Sequence, residues 1–191
     1  FSAQEVEAVP FVKQGREVVR LYGRSYPTAK LTERIIDDYV REDSVPFAIG
    51  LLHTNVDGDP AHDNYAPCAK ADLMAKGFDY WALGHIHQAC VLHGQSEEDP
   101  PHIVYPGNVQ GRSVKEAGPK GCYLVEVRDG HVQRLTFHEL DDVRWHGVEL
   151  DLTGAEEIQH VLDRIHDELQ RLADEAQVQG RAAIVRFMLT G

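Results

Sequence analysis

Tyr80-Trp81-Ala82-Leu83-Gly84-His85-Ile86-His87 is the stretch whose reading decides the rest of the chain. A short apolar run over 78–83 reads as a buried strand. Gly84 lets the backbone turn out of the sheet at its end. His85 and His87 lie two residues apart, so in extended chain both imidazoles point to the same side. Two imidazoles side by side at the mouth of a buried strand suit one or two metal ions.

Working outward, residues 45–52 (VPFAIGLL) form another apolar run that ends at His53. Between the two runs lies 54–66, rich in Asp, Asn, Gly and Pro, which reads as a loop. Residues 67–76 fit a short helix, with Pro67 at an allowed first position and Gly77 at the end. Strand, loop, helix, strand is a βαβ unit and implies parallel neighbours. Ligand sites in an open α/β sheet lie beyond the carboxyl ends of the strands. His53, His85 and His87 should therefore converge on one sheet edge. A lone histidine is usually an ordinary surface or core residue; three at strand ends favour a shared metal site.

The remaining segments predict a short strand pair near 6–12 and 17–22, turning at Gln14-Gly15. A helix is expected over 28–41, where Leu31, Ile35 and Tyr39 recur every four residues. Residues 91–92 continue a strand, 94–101 form an acidic loop, and 102–105 form a short strand. A Gly-rich loop fills 106–120, and Asp129-Gly130 joins two alternating runs as a hairpin. A boundary falls near 141–145. Beyond it come a strand over 147–152, a long amphipathic helix from Thr153 with Glu156 closing a capping box, and a strand over 182–189. The expected division is 1–142 and 143–191. Trp81 reads as core, and Cys68 and Cys90 as buried small residues.

Bulk composition narrows the function. The 191 residues are 42% hydrophobic and 26% charged, an ordinary globular balance. No apolar run approaches the roughly 18–20 residues of a membrane span. Three scattered cysteines with no CxxC pair argue against a disulfide framework and for a reducing cytoplasm. A net charge of −12 argues against nucleic acid bound over a broad surface, though not against a local basic groove.

The ordered set HTNVDGDPAHDNYAPC (53–68), GFDYWALGHIH (77–87), YPGNVQGR (105–112) and EAGPKGC (116–122) resembles the calcineurin-like metallophosphoesterases, and among them the SbcD-type DNA repair exonucleases. The resemblance covers roughly 45–140. It implies an α/β/β/α sandwich, incomplete here, followed by the start of a β-α-β cap domain. It implies His53 and His85 as ligands of one metal ion and His87 as ligand of a second, with Mn2+ the usual metal. It implies DNA as substrate and an SMC-like ATPase subunit (SbcC-type) as partner. Arg112, Asn108 and Gln110 of the PGNVQGR loop are candidate DNA-backbone contacts, with Lys115 and Lys120 nearby. The family's earlier motifs are Asp-x-His, Gly-Asp-x-x-Asp and Gly-Asn-His, which carry the bridging carboxylate and the catalytic histidine. None is present. Gly58-Asp59 is followed by Pro60-Ala61-His62, and Gly107-Asn108 by Val109. The expectation is a carboxyl-terminal part of a nuclease domain whose catalytic histidine precedes Phe1, inactive by itself. Sheet strands left without neighbours would be covered by a homodimer or by swapping. The alternatives are a general calcineurin-like phosphatase or phosphodiesterase, and a non-catalytic module that binds DNA or a partner.

Overall fold

The computed structural model describes residues 1–96 and 99–191, so Glu97 and Glu98 of the expected acidic loop lie outside the described residues. The fold is mixed α/β. A six-stranded sheet contains β1 (Glu7–Lys13), β2 (Arg16–Gly23), β3 (Ala48–His53), β4 (Tyr80–Gly84), β5 (Cys90–His93) and β6 (His102–Tyr105), in the order β1-β2-β3-β4-β6-β5. β2, β3, β4 and β6 run parallel, while β1 and β5 pair antiparallel at the two edges. α1 (Lys70–Ala75) lies between β3 and β4, so the expected βαβ unit forms.

Alternation along β4 explains why its sequence is apolar without interruption. Trp81 and Leu83 join a core with Tyr22, Ile35, Tyr39, Leu52, Leu73, Phe78 and Ile103. Tyr80 instead packs with Phe47, Val104 and Val132, and Ala82 lies beside them. Both faces of the central strands are covered, as a parallel sheet requires. The second cover comes from a hairpin, β7 (Gly121–Arg128) and β8 (His131–Glu139), through Tyr123, Val125 and Leu135. Asp129 and Gly130 form its turn with φ of 52° and 77°. β1 is exposed along its length, the profile of an edge strand.

The helix expected over 28–41 does not form. Only a 3-10 turn, Ile36–Asp38, appears there. The apolar positions are buried as the pattern demands, since Leu31, Ile35, Ile36 and Tyr39 all lie in the core. The backbone differs: the Leu31 carbonyl accepts the N–H of Ala66 at 2.8 Å, not that of Ile35. The Tyr39 hydroxyl donates to the Leu51 carbonyl at 2.6 Å. Partners in the sheet and in the 54–66 loop replace the i→i+4 ladder, a case of tertiary context overriding periodicity. Cys68 is buried as expected, but Cys90, on edge strand β5, is exposed.

The chain divides into two compact units. Residues 1–107 and 123–137 form the first, and 108–122 and 138–191 the second. In the second unit, β9 (Val143–Asp151) and β10 (Ala182–Thr190) pair in parallel, joined by α2 (Ile158–Gln179). α2 starts five residues after Thr153. The Thr153 hydroxyl and N–H both bond Asp151 Oδ1, at 2.7 and 2.9 Å, so the expected capping box is not made. Gly180 ends the helix in left-handed conformation. Residues 108–122 belong with β9 for specific reasons. The Gln110 amide donates to the Val143 carbonyl at 2.7 Å, and the Trp145 indole donates to the Gly111 carbonyl at 3.0 Å. At the base of this unit Asp141, side chain 0% exposed, takes a two-pronged contact from Arg144 and one from Arg181 Nη1 at 2.5 Å. No helix among the described residues is long and apolar enough to cross a membrane.

Candidate metal centre

The carboxyl edge of the main sheet gathers the candidate histidines. β3 and β4 are in register with His53 opposite Gly84. His53 is the last residue of β3, and His85 and His87 follow the last residue of β4. The His53 and His85 rings meet edge to face with centroids 5.1 Å apart. Ile86 packs against the core cluster, so the two histidines flanking it project from the edge. His85 has a φ of 100°, a positive value that a residue with a Cβ adopts at a cost of about 1–3 kcal/mol.

Gly84 is required by contact. A Cβ there would lie 2.9 Å from His53 Nδ1. Gly84→Ala is therefore expected to displace the His53 ring. In the full-length protein metal affinity should fall by roughly tenfold, the scale of a lost orienting contact, measurable by calorimetric titration with Mn2+. Gly107 of the PGNVQGR stretch serves the same edge. Its φ is +74°, and a Cβ would approach the His87 carbonyl to 2.7 Å and the Ala89 nitrogen to 2.8 Å. The loop after β6 thus presses on the backbone that carries His87.

Burial and hydrogen bonding act on two of these imidazoles. Burial, then the neighbouring His85 and His87, lower the pKa of His53, which favours its neutral, coordinating form. His85 Nε2 lies 2.8 Å from the Asp63 carbonyl. A carbonyl only accepts, so Nε2 carries a proton, and Nδ1 is the nitrogen that this bond leaves open to coordinate. A ligand histidine is commonly fixed in this way by a bond from its other nitrogen.

The 54–66 loop forms part of this edge. Thr54 and Asn55 are buried, and the Thr54 hydroxyl donates to the Ala66 carbonyl at 2.8 Å. The loop folds back so that His62 and Tyr65 place their rings 5.6 and 5.1 Å from that of His85. Tyr26, just after β2, sets its ring 5.4 Å from His53 and donates its hydroxyl to the His53 carbonyl. Burial first, then Cys68 and Tyr65, push the Tyr26 hydroxyl pKa up to about 12. Nothing local in the sequence marks Tyr26. Its role follows from β2 being the parallel neighbour of β3.

The donor set is partial. Among the described residues no group of three or more His, Cys, Asp or Glu side chains is arranged to hold a metal ion. The Asp63 carboxylate accepts the Tyr65 hydroxyl at 2.9 Å. Imidazoles without a bridging carboxylate do not fit a pair of divalent ions by themselves; they fit part of such a site.

The loop candidates for nucleic acid lie in the second unit. Arg112, with a side chain 72% exposed, pairs with Glu116 at 3.2 Å. Asn108 Nδ2 donates to Glu116 at 3.3 Å, and its Oδ1 has no hydrogen-bond partner among the described residues. Gln110 is engaged at both ends of its amide, donating to the Gly111 and Val143 carbonyls and accepting the N–H groups of Asp142 and Val143.

Comparison with known proteins adds to this geometry. The whole chain aligns at 37% identity with a protein of Bacillus subtilis (strain 168) described as "Uncharacterized metallophosphoesterase YhaO". The chain is related to the metallophosphoesterases. It spans 45% of that relative's length. Residues 145–191 also match the family described as "Metallophosphoesterase YhaO, middle domain". That match takes in most of β9 and all of α2 and β10, the strand–helix–strand segment of the second unit.

Proposed function

We propose that this chain carries the carboxyl-terminal metal ligands of a two-metal phosphodiesterase that hydrolyses DNA. The observation that carries the reading is the ring contact of His53 and His85 on adjacent parallel strands, with His85 Nδ1 left as the coordinating atom. His53 and His85 serve one ion and His87 the other, and Mn2+ is the metal. The carboxylates and catalytic histidine that complete the site come from polypeptide outside residues 1–191. Divalent ions in the completed site would polarise a phosphoryl oxygen and generate hydroxide. The part of this chain is to hold and orient the imidazoles.

The main sheet is read as part of a calcineurin-like sandwich, residues 1–142 as nuclease domain and 143–191 as the opening of a cap. Arg112 would contact a DNA phosphate, with Asn108 and Gln110 shaping its loop. An SMC-like ATPase is the proposed partner. Three free cysteines agree with a reducing cytoplasm. A homodimer through the open edge of β1 is proposed for the isolated chain. The −12 charge favours a second reading, a general phosphodiesterase acting on small substrates. Incubating the full-length protein and Mn2+ with DNA and with bis(p-nitrophenyl) phosphate separates the two. DNA shortened from its ends supports the nuclease. Release of nitrophenol with DNA left intact supports the general enzyme.

A further inference from the structure

We infer that His62 is a phosphate-binding residue of the histidine site, its imidazole N–H donating to a non-bridging oxygen of the bound phosphate or phosphodiester. The inference rests on the reading of His53, His85 and His87 as metal ligands.

The position of His62 is built. Asn55, 1% exposed, clips the loop from beneath. Its Nδ2 donates to the Asp59 carbonyl at 2.9 Å, and its Oδ1 accepts the Asp59 N–H at 2.8 Å. The same Nδ2 lies 3.4 Å from the carbonyls of His62 and Asp63. The His62 N–H bonds the Asp59 carbonyl at 3.2 Å, and the Ala61 N–H bonds Asp59 Oδ1 at 2.9 Å. A buried amide thus fixes the backbone on both sides of His62, and this holds the ring 5.6 Å from that of His85.

Two neighbours on the loop, Asp63 and Tyr65, are committed elsewhere. The Tyr65 hydroxyl donates to the Asp63 carboxylate, and the Asp63 carbonyl accepts from His85. His62 is exposed, and its ring nitrogens have no hydrogen-bond partner among the described residues. With its ring against that of His85 and its nitrogens open, His62 is placed to donate to an oxygen of the bound substrate. In a chain of charge −12, an anionic substrate needs such local donors.

The test is calorimetric titration of inorganic phosphate into the Mn2+-loaded full-length protein, comparing wild type, His62→Ala and His62→Asn. His62→Ala should weaken phosphate binding by roughly tenfold, the scale of one charge-assisted hydrogen bond, with Mn2+ stoichiometry unchanged. His62→Asn, whose amide can donate, should recover part of the loss. Phosphate affinity within about twofold of wild type in His62→Ala overturns the inference. So does loss of bound Mn2+ in step with phosphate, which would make His62 a metal ligand. Hydrolysis of bis(p-nitrophenyl) phosphate by wild type separates the two levels. An active wild type with normal phosphate binding in His62→Ala removes the His62 role alone, while a wild type that neither binds Mn2+ nor hydrolyses removes the metal reading with it.

Discussion

His85→Ala in the full-length protein is expected to reduce metal-dependent phosphodiester hydrolysis by at least about a hundredfold. Loss of an outer-shell partner typically lowers metal affinity or activity by roughly 10–100-fold, and loss of a ligand should exceed that. The substitution removes Nδ1, the atom that the bond to Asp63 leaves for coordination. It also removes the ring that His53, His62 and Tyr65 contact. The fold should survive, because His85 lies past the end of β4 and only partly covers the core. Near-wild-type thermal stability with bound Mn2+ reduced and hydrolysis lost is the expected pattern. Full activity in His85→Ala would contradict the assignment.

Asp141→Ala should produce the largest loss of stability, confined to the second unit. One enclosed carboxylate holds two guanidinium groups, Arg144 by two nitrogens and Arg181 by a third. Arg144 belongs to β9, and Arg181 immediately precedes β10. Glu139 pairs with both arginines but is more exposed. Breaking a buried pair by deleting one partner costs about 3–5 kcal/mol, because the remaining charge is left uncompensated. The second unit has little reserve. On α2 only Leu172 is buried, and Ile158, Leu162 and Leu169 of its apolar stripe are exposed. Hydrogen exchange over 143–151 and 182–190 should accelerate strongly in Asp141→Ala, while β3 and β4 keep their protection.

The same carboxylate sets an acid limit. Burial raises the Asp141 pKa, but the hydrogen bonds from Arg144 and Lys120 and the nearby arginines outweigh it, and the net shift is downward. A carboxylate with a depressed folded pKa contributes fully above its unfolded value, about 3.9. That contribution is lost as the pH falls through the lower folded value. The second unit should therefore loosen below about pH 4. Asp141→Asn should flatten that dependence while lowering stability at neutral pH.

The βαβ core was legible because its signals are local and redundant. Two apolar runs end in histidine or Gly-His, a turn-rich loop and a short helix separate them, and parallel pairing places their ends together. The β7–β8 hairpin was legible from Asp129-Gly130 for the same reason. The 28–41 segment was not, because its apolar spacing reports which side chains are buried and says nothing about which carbonyls Ala66 reaches. The Thr153 cap failed similarly. The sequence offers Thr153 and Glu156, but Asp151 accepts the Thr153 N–H that Glu156 would have bonded, and the helix starts only at Ile158. In the site, His53, His85 and His87 were visible as strand-end residues. The contributions of Tyr26, Tyr65 and the Asp63 carbonyl depend on how strands β2 and β3 neighbour one another and how the loop folds back. Gln110 is a candidate backbone contact in the sequence, and the partners that engage its amide oxygen, Asp142 and Val143, lie over thirty residues away, where no local signal points to them.

On the proposed function, these histidines are part of a metal site completed by polypeptide outside residues 1–191. Hydrolysis of bis(p-nitrophenyl) phosphate with Mn2+, measured side by side for the full-length protein and the 191-residue chain, tests it most directly. The expected result is turnover by the full-length protein, abolished by His85→Ala, and none by the 191-residue chain. Comparable turnover by the 191-residue chain alone would contradict it.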